Sequence, residues 1–151
     1  MYKKIALCLL VLLGGGCTFL LKDKWEAAPV FTYKALDAEQ SLQTYYGVGK
    51  EHDIMGIGSL AYHENGQTTW LFWGKYKDLI GQDIKIYAKK QGVKKKVNAI
   101  KEKYLTLEKG ILGADAHAVG TIELPENGLW KLTFMMGKKK LGDIVVKIEF
   151  S

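Results

Sequence analysis

The C-terminal stretch from Trp130 to Phe150 leaves little conformational choice. Trp130, Leu132, Phe134 and Met136 alternate with Lys131, Thr133 and Met135, and beyond Gly137 to Lys140 a second alternation runs through Ile144, Val146, Ile148 and Phe150. A period of two is the period of a strand, where successive side chains point to opposite faces. Each segment therefore offers one apolar face, and the glycine turn between them makes a hairpin. Burying those eight side chains is worth on the order of 12–24 kcal/mol before the loss of chain entropy is set against it.

Shorter signals of the same kind run back to Pro29. Asp83 to Lys89 alternates with Ile84, Ile86 and Ala88 inward, and Gln91-Gly92 turns into a weaker strand over Lys94 to Ile100, with Val97 and Ala99 inward. Ile57 to Tyr62 and Gln67 to Gly74 read as a hairpin joined by His63-Glu64-Asn65-Gly66, because Asn-Gly readily takes the positive φ of a tight turn. Its second arm, Thr69 to Trp73, is apolar on both sides, which predicts a central strand or one whose outer face is covered. After Tyr104 to Leu107, a glycine-bearing loop at 110–115 leads into a strand from about His117 to Leu124. No helical periodicity of any length is present. With 151 residues and 48% apolar composition, the chain suits one domain with a genuine core. That core is held by packing, since Cys8 and Cys17 both precede it. An up-and-down barrel around an enclosed cavity is the rival all-β architecture.

The N-terminus predicts export. Met1 to Lys4 is positive and Ile5 to Leu13 gives nine consecutive apolar residues, the length of a secretory core. Gly14-Gly15-Gly16-Cys17 resembles a bacterial lipobox, in which small residues precede a cysteine that is diacylated after cleavage. Here leucine stands four places before the cysteine instead of three. The expected organisation is a signal peptide over 1–16, lipidation of Cys17, a tether over 17–28 and the domain over 29–151. The alternative is an uncleaved anchor over Ile5 to Leu21, 17 residues without a charge. Either way the body sits on the outer face of the cytoplasmic membrane.

Glu126-Asn127-Gly128-Leu129-Trp130 has the spacing of an immunoglobulin corner, with Trp130 where tyrosine is commoner. Together with Trp70 to Gly74, Gly113 to His117, Leu124 to Leu132 and Leu141 to Val146, it resembles a family of bacillar lipoproteins with an uncharacterised immunoglobulin-like domain. The resemblance implies an all-β, immunoglobulin-like β-sandwich of about 7–9 antiparallel strands, lipid-anchored at the cell envelope, and it implies no activity. Residues 40–55 depart from that family's pattern.

The 22 basic residues are all lysine. Without arginine the bidentate forks that read guanine are missing, and the mature chain is only modestly basic, so no nucleic-acid partner is expected. Lys89, Lys90, Lys94, Lys95 and Lys96, with Lys138 to Lys140, offer a patch for an anionic membrane or envelope polymer; the plainer reading is a solvated hairpin whose charges discourage edge pairing. Asp115 and His117 share a strand face and, near His52 and Asp53 or His63, have the chemistry of a divalent-metal or ligand site. The plainer reading makes Asp115 a backbone cap and His117 a local hydrogen-bonding group.

Other signals are weaker. Gly56-Ile57-Gly58-Ser59-Leu60-Ala61 fits a dinucleotide fingerprint only formally, since a turn and strand follow where a helix is required, and close backbone approach explains its glycines. Ser59 lacks the glycines of a nucleophile elbow, and His63-Glu64 lacks a second histidine. Trp70, Phe72 and Trp73 suit either a sugar or peptide groove or a core. The expected function is thus a monomeric, non-catalytic binding module needing no cofactor. A structural or inhibitory protein pairing through a sheet edge is the alternative, and a metal-dependent hydrolase at Asp115 and His117 is the third reading.

Overall fold

The computed structural model describes residues 24–150. The strands are β1 (Val30–Leu36), β2 (Leu42–Gly49), β3 (Ile54–Gly58), β4 (Gly66–Phe72), β5 (Asp83–Lys90), β6 (Lys96–Asn98), β7 (Leu105–Thr106), β8 (Glu108–Lys109), β9 (Ala116–Ile122), β10 (Gly128–Met136) and β11 (Lys139–Ile148). Among the described residues that makes eleven, where about seven to nine were expected; the surplus is β6, β7 and β8, which are two or three residues long. Every pairing is antiparallel, in a six-stranded sheet ordered β1-β2-β3-β4-β9-β8 and a five-stranded sheet ordered β11-β10-β5-β6, with β7 beside β5. The molecule is an all-β sandwich.

The alternating segments face as their pattern predicts. β10 lies between β11 and β5, with Leu132 opposite both Ile144 and Ala88 and Phe134 opposite Ile86. Ile84, Ile86, Ala88, Leu132, Phe134, Val146 and Ile148 are all buried. Two details differ. A bulge between Phe134 and Met135 shifts the register and admits Leu141 to the core. Phe150 lies past the end of β11 and is 43% exposed, its N–H donating to Asn127 Oδ1 at 2.7 Å. From the other sheet, Trp70 and Phe72 meet Phe134 edge-on at 4.9 and 6.0 Å between ring centres, and Tyr76 packs on Phe72. These rings fill the space between the sheets.

The hairpin around Asn65 is built differently from the expectation. Its first arm is β3, which ends at Gly58, where φ of 107° bends the chain into a 3-10 turn over Ser59–Tyr62. The turn drops Leu60 and Ala61 into the interior. Asn65 serves a distant segment: its side chain accepts from Leu124 N–H at 3.0 Å and donates to Leu124 C=O at 2.8 Å, pinning the chain after β9.

β4 is central, between β3 and β9, and Trp70, Leu71 and Phe72 are each fully buried. The outer side of Leu71 is covered by a second apolar cluster with Tyr33, Ala35, Met55 and Ile57, joined by Trp73, Leu112 and Ala114. Tyr33 Oη donates to Leu112 C=O at 2.6 Å and Trp73 Nε1 to Gly113 C=O at 3.0 Å, tying the 110–115 loop over this patch. At Gly47 a Cβ would come within 2.7 Å of Met55 Sδ, so glycine lets the β1-β2 hairpin approach.

The chain crosses between the sheets after β6. Ala99 N–H donates to Ile86 C=O in one sheet, while Lys101 N–H donates to Thr121 C=O in the other. The signal peptide over 1–16, Cys17 and the tether as far as residue 23 lie outside the described residues. Within the last part of the expected tether, Lys24, Glu26 and Ala27 are exposed, while Ala28 N–H donates to Val145 C=O on the edge strand β11 at 2.7 Å and the half-buried Trp25 ring lies on the outer face of the five-stranded sheet. An apolar ring and an unpaired strand edge each gain cover by this docking.

Candidate binding face

Inward placement of Ile84, Ile86 and Ala88 sends Lys85, Tyr87 and Lys89 outward, just as the burial of Leu132 and Phe134 sends out Lys131, Thr133 and Met135. Register then does what neither segment specifies alone. Lys89 stands opposite Lys96 on β6 and opposite Lys131 on β10. Three lysines thus form a row across three adjacent strands. Like charges directly opposite on a sheet destabilise it, by a few tenths to about 1 kcal/mol per pair. Among the described residues no carboxylate pairs with any of the three.

Around the row lies a hollow of about 380 Å³ whose walls include Trp25, Tyr87, Lys96, Lys131 and Met135. Lys131 Nζ sits 4.5 Å from the centre of the Trp25 ring, a cation–π contact that fixes the ring against the face. The acid at its border, Asp143, is engaged by Lys140 and by Thr133 Oγ1–H at 2.7 Å. The face therefore presents ammonium groups beside an aromatic plate, an arrangement suited to phosphate or carboxylate oxygens.

The lysines singled out in the sequence are divided by the fold. Lys89 and Lys96 join the face, and Lys94 borders a smaller adjoining hollow with Trp25. Lys95 is exposed in the turn. Lys90 shares the register position of the buried Trp130 and pairs with Glu126 at 3.2 Å. Of Lys138 to Lys140, it is Lys140 that borders the hollow. Lys131 and Trp25 were missed. The alternation with Trp130 marks Lys131 as outward, but the neighbour it would meet is a property of register.

Asp115 and His117 are occupied separately. Asp115 Oδ2 accepts the Gly74 N–H at 2.6 Å while its own N–H donates to Phe72 C=O at 2.9 Å, locking the loop onto the end of β4. His117 Nδ1 is 2.6 Å from Lys109 C=O and its Nε2 is 3.5 Å from Glu108, across the β8-β9 pairing. His52 packs edge-on to Trp73, and His63 Nδ1 lies 3.2 Å from Lys147 C=O. Among the described residues no three His, Cys, Asp or Glu side chains are gathered so as to hold a metal. The Gly56 to Ala61 segment is a strand end and a turn, and a Cβ on Gly56 would come within 2.9 Å of the Trp70 ring. Trp70 and Phe72 belong to the core, and Trp73 to the outer cluster.

Buried tyrosines act as hydrogen-bond donors. Burial, then the charge of Asp53, pushes Tyr76 up to about 12, and burial, then Glu51, raises Tyr33. Both stay protonated at neutral pH, Tyr76 donating to Leu141 C=O at 3.3 Å. Burial works against the charge on Glu102, but the N–H and hydroxyl of Thr121, both at 2.9 Å, and the charge of Lys101 hold its carboxyl below the usual range.

No family model matches the chain, and no curated protein does. Among solved structures, the X-ray crystal structure of a putative lipoprotein from Bacillus anthracis is similar to it, with a TM-score of 0.58 over 87% of this chain and 91% of that one, at 21% identity. At that identity the likeness speaks for a shared fold.

Proposed function

We propose that the chain is an extracytoplasmic, lipid-anchored, non-catalytic binding module of immunoglobulin-like fold, and that its lysine face meets the anionic headgroups of the membrane that carries it. The observation that carries this reading is Trp25. Its seat against Lys131 makes the tether leave from the lysine face. Cys17 is seven peptide steps from Lys24, at most about 25 Å of extended chain, so a lipid on Cys17 holds this face close to the headgroups. Each lysine near an anionic leaflet contributes about 1 kcal/mol, enough for a tethered row to orient the domain. The lipobox-like Gly14 to Cys17 and the shared fold with a protein described as a putative lipoprotein support the anchoring. For the immunoglobulin-like assignment, buried Trp130 near the start of β10 donates Nε1–H to Glu126 C=O at 3.0 Å, the bond a corner aromatic makes.

Amine-reactive labelling followed by mass spectrometry tests the reading on the full chain in nanodiscs. Lys89, Lys96 and Lys131 should label several-fold more slowly in discs containing phosphatidylglycerol than in phosphatidylcholine discs. Molar salt should erase the difference, because it shortens the screening length to about 3 Å. Equal labelling in the two lipids at low salt would refute the contact.

A second reading has one observation in its favour. β1 is an outer edge of the six-stranded sheet with Val30 and Leu36 exposed, where a partner strand could add. Lys34 in the middle of that edge opposes such pairing.

A further inference from the structure

A cleft opens on the outer face of the six-stranded sheet, away from the lysine row. β2 pairs with β1 from Leu42 to Val48 but with β3 only from Gly47 to Gly49, so over Leu42 to Tyr46 the β1-β2 hairpin leaves the sheet. The hollow between the departing hairpin and β3-β4 measures about 430 Å³, within the range of small-molecule sites. Thr44 and Tyr46 line one wall, Ile57, Gln67 and Thr69 the other, and Tyr62 stands at its edge, carried there by the turn after Gly58.

Two features give it a ligand chemistry. Tyr46 and Tyr62 stand with ring centres 5.9 Å apart at 56°, yet they are 49% and 59% exposed. Rings so placed contribute little to the core. The lining is otherwise uncharged, with hydroxyls from Thr44 and Thr69 and an amide from Gln67 that both donates and accepts. An anionic or cationic ligand would find no counter-charge in this lining. A sugar chain offers what the walls match: C–H faces for the rings and hydroxyls for the amide and threonines. We propose that this cleft binds a short stretch of neutral glycan. With the lysine face toward the bilayer, the cleft faces outward, but its chemistry does not depend on that orientation.

The test is isothermal titration calorimetry of the full chain in a detergent without a sugar headgroup, using chitotetraose, cellotetraose and maltotetraose. At least one should give saturable heat. Tyr46→Ala and Tyr62→Ala should each weaken it about tenfold or more, as loss of an aromatic anchor does. Since both rings are exposed, the melting temperature should hold, and Lys89→Glu should leave binding intact. Silence from all three sugars at millimolar concentration would overturn the proposal, as would affinity unchanged in both tyrosine variants. Saturation instead by an uncharged extended peptide, acetyl-Thr-Val-Thr-Val-amide, would overturn it in favour of strand addition.

Discussion

Lys89→Glu is expected to stabilise the domain by about 1 kcal/mol while weakening its attachment to anionic membrane. Lys89 is the middle of the row, opposite Lys96 on one side and Lys131 on the other. Glutamate there turns two repulsive cross-strand pairs into two attractive ones, each worth a few tenths to about 1 kcal/mol, with the lower end favoured because Lys96 is exposed to solvent. The urea midpoint should rise with the slope unchanged. The same substitution reverses a charge at the centre of the face. At about 1 kcal/mol per lysine near the surface, a reversal costs about 2 kcal/mol of attraction, roughly thirtyfold in the preference for anionic lipid. Lys103→Glu makes the same change in net charge at another exposed lysine and should leave both quantities alone. A less stable Lys89→Glu would show that the row is not strained. Lipid preference unchanged, or lowered equally by Lys103→Glu, would place the contact elsewhere.

Phe134→Ala is expected to cost about 3–5 kcal/mol, a large part of the roughly 5–15 kcal/mol by which a domain is stable. Phe134 is fully buried and meets Trp70 and Phe72 edge-on from the opposite sheet, so alanine leaves a cavity at the centre of the inter-sheet contact. Phe150 also belongs to an alternating apolar series, yet it is 43% exposed, and Phe150→Ala should change stability by no more than about 0.5 kcal/mol, as at ordinary surface positions. Urea unfolding of the two variants checks the contrast. Similar losses in both, or a mild loss at Phe134, would contradict the packing described.

That contrast marks how far the sequence could be read. Alternation reports which face of a strand a residue occupies, and for Ile84 to Ala88 and Trp130 to Phe134 the faces agree with the structure. The two-sided apolarity of Thr69 to Trp73 likewise announced a central, covered strand. Alternation does not say where a strand stops. Phe150 continues the pattern one step past the pairing, and Ile57 to Tyr62 looked like a single arm although Gly58 ends it. Neither does it name neighbours. The Lys96-Lys89-Lys131 row and the Tyr46-Tyr62 cleft arise from register and from the departure of one hairpin, both non-local. Trp25 sat in the stretch expected to be a tether, and nothing local marks the sheet face it meets. For Asp115 the sequence offered backbone capping as the plainer reading beside metal ligation, because both call for the same carboxylate, but it did not name Gly74 as the amide that is capped.

The proposed function rests on one orientation of the domain toward an anionic membrane. That orientation is measured most directly by paramagnetic relaxation in the full chain, held in anionic nanodiscs doped with a lipid whose headgroup chelates gadolinium. Strong broadening of the Trp25, Lys89 and Lys131 amides, with those of Tyr62 in the turn after β3 and Gln67 on β4 left sharp, is the predicted result. Uniform broadening, or the reverse pattern, would contradict it.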